Sequence, residues 1–134
     1  AKYMIAQKSG VIVNIASIAG LFPYNWAGAY SVVKAGLIML TKSLAREFAG
    51  RGVTANAIAP GFFHTRQNHF LLYDEKTGEL TQRGKSIIDH TPMRRFGDPE
   101  DLLGALFWLL SPGAAFVTGT VVVVDGGFSA FSGV

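Results

Sequence analysis

The stretch Gly10-Val11-Ile12-Val13-Asn14-Ile15-Ala16-Ser17 decides the fold of this 134-residue chain. It is a short apolar run, rich in β-branched residues and bounded by glycine and small polar residues. Such a run is typical of a strand that is buried on both faces of a parallel sheet. Residues 19–26 contain a glycine, a proline and an asparagine, which predict a loop. The sequence therefore predicts a buried strand that has Ser17 at its carboxyl end.

A long helix and a second strand are expected next. Over residues 27–49 the apolar side chains recur at helical spacing, and Gly50 and Gly52 predict the end of the helix. Residues 53–59 then form a second apolar strand that stops at the turn Pro60-Gly61. Strand, helix, strand is a parallel crossover unit, and ligand sites in such sheets lie at the carboxyl ends of the strands. Both strand ends are therefore expected to face one site.

Tyr30 and Lys34 are four residues apart on the predicted helix, so their side chains project from the same face. A cation beside a phenol favours the phenolate, which allows a tyrosine to exchange a proton near neutral pH. The hydroxyl of Ser17 could hold the oxygen that gains or loses this proton. The three groups suffice to handle an alcohol or a ketone. The pair alone also fits a tyrosine packed on the core beside a lysine that reaches water.

Several short motifs of the sequence match those of a known family. Its signatures occur here in the family's order and spacing, as Asn14-Ile15-Ala16-Ser17, Tyr30-Ser31-Val32-Val33-Lys34, Asn56-Ala57-Ile58-Ala59-Pro60-Gly61 with Thr65, and Val124-Asp125-Gly126-Gly127. With them the chain resembles the short-chain dehydrogenase/reductase family over essentially its whole length. The resemblance implies a doubly wound Rossmann-type parallel sheet and a dehydrogenase that uses NAD or NADP.

The resemblance also implies roles for particular residues. Ser17, Tyr30 and Lys34 would be catalytic, and Tyr30 and Lys34 would also contact the cofactor, Lys34 through the nicotinamide ribose. The nicotinamide would lie beside four residues after the second strand, namely Pro60, Gly61, Phe63 and Thr65. The family's usual assembly is a homotetramer, in which the last strand and the helix around residues 102–110 form one interface.

Several features of the family are missing. The sequence contains no G-x-G-x-x-G turn, which would cradle the cofactor pyrophosphate at a helix N-terminus. The residue that selects NAD or NADP and the family's catalytic asparagine are missing too. Residues 1–134 are therefore expected to be the carboxyl-terminal half of a dehydrogenase, a partial NAD(P)-binding domain with three strands. Alone, this half should bind NAD(P) weakly, lack measurable activity and not be a well-behaved monomer, because its sheet would end at an unpaired edge.

Residues 62–92 resemble the family's substrate-binding loop and are long enough to act as a lid. An arginine there could hold a substrate carboxylate through two parallel hydrogen bonds. The substrate-binding candidates are Ser17, Trp26, Arg66, Asn68 and Arg83. The polar lid resembles that of members that interconvert keto and hydroxy sugar acids, of the mannonate–fructuronate type. His64 and His69 have no carboxylate nearby in sequence, so no metal site is expected.

The last helix has a clear start. Asp98 is a predicted N-cap, and Pro99 suits the first helical position. A buried stripe is expected from Leu102, Leu103, Leu106, Phe107 and Leu110. Residues 121–124 are four consecutive valines, which predict a final buried strand.

Composition excludes several classes of protein. The net charge of +3 comes from scattered lysines and arginines, whereas a nucleic-acid site needs clustered ones. The absence of cysteine excludes disulfides and thiolate metal sites and fits a cytoplasmic protein. No apolar run reaches the length that spans a membrane. The expected partner is a small-molecule substrate.

Two other functions stay open at this stage. The chain could be a non-catalytic fragment or interaction module that folds only against its missing amino-terminal half. It could also be a nucleotide sensor that keeps the fold without turnover. The presence of Ser17, Tyr30 and Lys34 together favours an enzyme, because sensing alone needs no proton transfer.

Overall fold

The computed structural model describes residues 1–25 and 27–131. Within them, three parallel strands form one sheet in the order β1-β2-β3. The strands are β1 Gly10–Ile15, β2 Val53–Pro60 and β3 Val121–Val124. In the register of β1 and β2, Ile15 lies opposite Ile58. The predicted parallel α/β fold is confirmed.

Helices flank and extend the sheet. They are α1 Lys2–Ala6, α2 Gly28–Phe48, α3 His69–Leu72, α4 Gln82–His90 and α5 Leu103–Leu110. In the described ranges, none of them is both long and apolar enough to cross a membrane. Helix α2 connects β1 to β2 and packs on the sheet, where Ile38 contacts Ala16 and Ala57. The core of this layer lies between α2 and the first two strands.

Helix α2 ends in two steps. The α-helix stops at Phe48, and a 3-10 turn continues to Arg51. Gly52 then adopts a left-handed conformation, with φ of 78°, and its backbone lies so close to the carbonyl of Lys8 that no side chain would fit. The predicted stop at Gly52 is thus confirmed, whereas Gly50 lies within the 3-10 turn.

Burial differs between the strands. Four apolar side chains of β2 are 0% exposed, namely Ala55, Ala57, Ile58 and Ala59. The residues of β1 are only half-buried, and Ile15 is exposed. The prediction that β1 is buried on both faces was therefore wrong for this chain. The reason is that β2 has a neighbour on each side, whereas β1 pairs only with β2 within the part of the chain described here.

A buried asparagine ties β2 to the segment before β3. Asn56 is 0% exposed, and its Nδ2 donates to the carbonyl of Val117 at 2.9 Å. Its Oδ1 accepts from the backbone N–H of Thr120 at 3.1 Å. Both polar atoms of the amide are satisfied, so the side chain fixes the start of β3 beside β2.

The predicted lid, residues 62–92, shares a small apolar core with the residues that follow it. Leu72 of α3 and Ile87 of α4 pack there with Phe96. Thr81 is the N-cap of α4, because its hydroxyl accepts from the backbone N–H of Gly84 at 3.0 Å. Gly84 lies against the carbonyl of Leu72 with no room for a Cβ. The predicted helix over residues 81–90 is confirmed, and its first residue is the cap.

The predicted N-cap at Asp98 is confirmed, but the turn after it is a 3-10 turn and α5 itself begins only at Leu103. Pro99–Leu102 form a 3-10 turn, and the backbone N–H of Asp98 donates to Oδ2 of Asp101 at 2.9 Å. The predicted buried stripe was wrong for Leu103, Phe107 and Leu110, which are exposed. Leu109 is the buried residue of α5 instead. Only one side of this short helix contacts the sheet, at β1 and β2, and Leu109 lies on that side.

Replacing Asn56 with leucine should destabilise the protein, because the Val117 carbonyl and the Thr120 N–H would lose their partner beside β2. An unsatisfied buried group costs about 1–3 kcal/mol, so the free energy of unfolding should fall by at least that amount. Urea unfolding of the full-length protein measures it. Gln67→Leu, at an exposed position, is the control and should change stability by less than about 0.5 kcal/mol. Equal losses for both variants would contradict the role of Asn56.

A second prediction concerns the ion pair of Arg95 and Asp101. The guanidinium donates to both carboxylate oxygens, at 2.6 and 3.0 Å, and, together with the backbone N–H of Asp98, it lowers the pKa of Asp101 from 3.8 to about 2. A lowered folded-state pKa stabilises the fold above the unfolded pKa, and this contribution is lost as pH falls toward about 2. Arg95→Gln should therefore raise the pKa of Asp101 and flatten the loss of stability between about pH 4 and about pH 2. NMR titration of the Asp101 carboxyl measures the change, and an unaltered pKa would refute it.

Candidate active site

The carboxyl ends of the parallel strands lie along one edge of the sheet, and a cavity of about 790 Å³ opens there. Five of the residues predicted for a site line this cavity, namely Ser17, Tyr30, Gly61, Asn68 and Arg83. They come from separate parts of the chain. The parallel register brings the turn after β1 and the turn after β2 to the same edge.

Ser17 is held in place by its own turn. The strand was predicted to reach Ser17, but β1 ends at Ile15, so Ser17 lies two residues beyond the observed strand end and caps the 3-10 turn Ile18–Gly20. Its Oγ accepts from the N–H of Ala19 at 3.1 Å, and the residue is only 9% exposed. A hydroxyl has one proton to donate, and among the described residues no acceptor takes it. The Ser17 proton is thus available to an oxygen atom in the cavity.

Tyr30 and Lys34 lie one turn apart near the start of α2. The side chain of Tyr30 is 51% exposed and lines the cavity. Nζ of Lys34 lies 5.6 Å from the centre of the Tyr30 ring and donates to the carbonyl of Ile15 at 2.9 Å. That hydrogen bond joins α2 to the end of β1. It holds the ammonium beside the phenol, although Lys34 does not itself line the cavity.

Gly20 brings the turn that carries Ser17 into backbone contact with α2. A Cβ at Gly20 would lie 2.7 Å from the carbonyl carbon of Lys34 and 2.9 Å from the backbone nitrogen of Ala35. Such distances leave no space for a side chain. The contact therefore fixes Ser17 relative to the helix that carries Tyr30.

In the loop after β2, a polar side chain forms hydrogen bonds with the backbone of the loop itself. Asn68 accepts from the N–H of Thr65 at 2.8 Å and donates to the carbonyl of Phe63 at 2.7 Å. Its amide is thus committed to the loop, although the residue lines the cavity. Arg83 also lines the cavity, whereas Arg66 is exposed and does not. Trp26 lies outside the described residues.

The four residues predicted to meet a nicotinamide occupy different surroundings. Pro60 ends β2, and the N–H of Gly61 donates to the carbonyl of Val124 at 2.9 Å. A Cβ at Gly61 would lie 2.6 Å from Cβ of Asp125, so the position excludes a side chain. Phe63 pairs with Gly97 and lines a second cavity of about 410 Å³, and Thr65 belongs to the loop closed by Asn68. Gly61 is the member of this set that lines the larger cavity.

An aromatic wall was missed by the sequence prediction. The rings of Tyr24, Phe62 and Phe128 pack against one another, with centroids 4.9 to 6.1 Å apart, and all three line the larger cavity. Burial, and secondarily the charge of Asp125, raises the pKa of Tyr24, so this phenol stays neutral near physiological pH. No local pattern reveals this wall, because three distant segments meet to form it.

One face of α4 also lines the cavity and could have been found from the sequence. Arg83, Ser86, Ile87 and His90 recur at helical spacing, and all four are lining residues. Arg83 alone was predicted. Projecting the expected helix would have placed Ser86 and His90 on the same side as Arg83.

The two histidines of the lid pair with each other. Nε2 of His64 and Nδ1 of His69 are 2.9 Å apart, and the ring of His69 stacks on that of Tyr73. Across residues 1–25 and 27–131, no group of three or more His, Cys, Asp or Glu side chains is arranged to hold a metal ion.

The residues present fit one end of a dinucleotide. The ammonium of Lys34 carries three hydrogens and gives one to Ile15, so it retains donors for ribose hydroxyls. Gly61, which excludes a side chain, leaves the end of β2 unobstructed. The sequence contains no glycine-rich pyrophosphate turn. The residues present therefore fit the nicotinamide end of the dinucleotide.

Comparison with known proteins gives concordant matches. An uncharacterized oxidoreductase of Bacillus subtilis (strain 168), UxuB, is 48% identical over 134 residues, which are 99% of this chain and 48% of the relative. The crystal structure of a D-mannonate oxidoreductase candidate from Haemophilus influenza with bound NAD has a TM-score of 0.86 and 47% identity over 92% of this chain and 44% of that chain. A gluconate 5-dehydrogenase from Burkholderia cenocepacia J2315 in complex with NADP and tartrate has a TM-score of 0.87 and 32% identity, over 96% and 48%.

The chain thus spans about half the length of the proteins it matches. The family model described as enoyl-(acyl carrier protein) reductase matches residues 1–129. This match covers nearly the whole chain, including Ser17, Tyr30, Lys34 and the Pro60-Gly61 turn. The chain belongs to the short-chain dehydrogenase/reductase family.

Proposed function

We propose that the complete protein is an NAD(P)-dependent oxidoreductase that interconverts a hydroxyl and a keto group of a polar substrate, a sugar acid of the mannonate–fructuronate type. The observation that carries this proposal is the convergence of Ser17, Tyr30 and Arg83 on one cavity. The first two supply groups that handle a carbinol proton, and the third supplies a cation for a carboxylate.

Proton transfer is assigned to Tyr30. Its hydroxyl exchanges the proton of the substrate oxygen, and the nearby ammonium of Lys34 stabilises the phenolate that forms. Ser17 donates its free proton to the same substrate oxygen and holds it in reach of Tyr30. Tyr24, the other phenol of the cavity, is assigned to the aromatic wall, because burial and the charge of Asp125 raise its pKa and make its phenolate harder to form.

The cofactor site is assigned by the fit of the residues present. Tyr30, Lys34, Pro60, Gly61, Phe63 and Thr65 would hold the nicotinamide and its ribose. When bound, NAD or NADP accepts or supplies the hydride. The NAD in the Haemophilus influenza structure and the NADP in the Burkholderia cenocepacia structure support either cofactor.

The sugar-acid assignment is supported by charge and by relatives. Arg83 is exposed on α4 and forms no hydrogen bond with the described residues, so its fork of donors is free for a carboxylate. The names of the two structural matches refer to D-mannonate and gluconate. An apolar substrate would gain nothing from Arg83, Ser86 and His90 on one helix face.

The assembly and location of the protein remain predictions. Leu103, Phe107 and Leu110 of α5 are exposed, which supports an interface on this helix in the predicted homotetramer. The cytoplasmic location rests on the absence of cysteine. A pure nucleotide sensor is disfavoured, since it would not need Ser17, Tyr30 and Lys34 together.

Tyr30→Phe in the full-length enzyme should lower kcat by at least ~10²-fold, because it removes the transferable proton and leaves the ring in place. The dissociation constant of the cofactor should change little. Steady-state kinetics together with cofactor titration measure both quantities. Tyr3→Phe, at an exposed tyrosine outside the cavity, is the matched control and should keep wild-type turnover. Near-normal turnover of Tyr30→Phe would remove the assignment.

Arg83→Met should raise KM for D-mannonate by about ten- to a hundred-fold, which is the effect expected when one charge-assisted hydrogen bond is lost. The same variant should barely change the weak turnover of the neutral D-mannitol. Arg66→Met is the matched control, because Arg66 is exposed and does not line the cavity. Equal changes in the kinetics with D-mannonate and with D-mannitol would show that Arg83 does not bind the carboxylate.

A further inference from the structure

His90, the last residue of α4, has its protonated nitrogen fixed by the helix. Its Nδ1 lies 2.7 Å from the carbonyl oxygen of Ser86. A carbonyl can only accept, so Nδ1 must carry the hydrogen of the neutral ring. The other nitrogen, Nε2, then has a bare lone pair. A neutral His90 therefore offers the cavity a hydrogen-bond acceptor and no donor at this atom.

A second contact holds the ring in place. The ring of His90 meets that of Phe131 edge to face, with centroids 5.5 Å apart and planes at 83°. The imidazole is thus fixed by a hydrogen bond on one side and an aromatic ring on another. Since Nδ1 is occupied within α4, Nε2 is the nitrogen that remains for a ligand.

His90 lies seven residues after Arg83, on the same face of α4. Two helical turns correspond to a rise of roughly 10 Å. Ser86 and Ile87 occupy the cavity face between them. A single elongated substrate could meet Arg83 and His90 only through opposite ends.

We infer that His90 is a specificity-determining residue that accepts a hydrogen bond from a hydroxyl of the substrate, far from the carboxylate held by Arg83. The inference rests on the proposed function and assigns a residue to the hydroxyl end of its polyhydroxy monocarboxylate substrate.

The test compares substrates that differ by one hydroxyl. Wild-type full-length enzyme is assayed with D-mannonate and with its monodeoxy analogues. His90→Phe keeps an aromatic ring for Phe131 and removes both nitrogens. With the wild-type enzyme, kcat/KM for one analogue should be about tenfold lower than for D-mannonate, as expected for one hydrogen bond. With His90→Phe, kcat/KM for D-mannonate should fall by about tenfold. The value for that analogue should not fall further.

Three further variants make the test independent of folding. Lys85→Ala, on the same helix but outside the cavity lining, should keep every substrate ratio of wild type. His90→Gln retains an acceptor and should restore part of the lost ratio, whereas His90→Met should not. The comparison of His90→Gln with His90→Met tests the hydrogen bond even when His90→Phe does not fold.

The outcomes separate this inference from the proposed function. Unchanged ratios of parent to analogue in both His90→Phe and His90→Met, with D-mannonate still turned over, overturn the role of His90 alone. A wild-type enzyme that turns over no sugar acid, while it oxidises or reduces another substrate class, overturns the proposed substrate and this inference with it.

Discussion

The parallel register of β1 and β2 is the constraint on which the candidate site depends. Because Ile15 lies opposite Ile58, the chain leaves both strands at the same edge of the sheet. Ser17 and Gly61 follow within a few residues and reach one cavity. A register shifted by one residue would turn every side chain of a strand to the opposite face. The fully buried alanines of β2 make such a shift costly, since larger neighbours would take their places.

The three groups proposed for chemistry are held together by contacts over a short stretch of chain. Lys34 bonds to the carbonyl at the end of β1, and Gly20 lies against the backbone of α2 at Lys34. Ser17 caps its own turn by accepting a hydrogen bond from the N–H of Ala19. The relative positions of the hydroxyl, phenol and ammonium thus depend on backbone geometry more than on flexible side chains, which suits proton transfer.

Sequence reasoning predicted the features that follow from local patterns. Apolar runs revealed β1, β2 and β3, and helical spacing revealed α2 and α4 within one or two residues. It failed where distant segments meet: the wall of Tyr24, Phe62 and Phe128 has no local signature. It also misjudged α5, because the apolar composition of that helix does not tell which side contacts the sheet. His90 was missed, although its helical spacing from Arg83 would have predicted that both lie on the same face of α4.

The predicted lid packs around Leu72, Ile87 and Phe96, which are not part of the core under α2. Its cavity face, by contrast, consists of side chains that contribute little to that small core, apart from Ile87. Replacing Arg83, Ser86 or His90 would therefore leave both cores intact. Under the proposed function, substrate preference could therefore diverge through changes at three exposed positions of one helix, while the groups proposed for proton exchange stay in the positions that β1 and α2 give them.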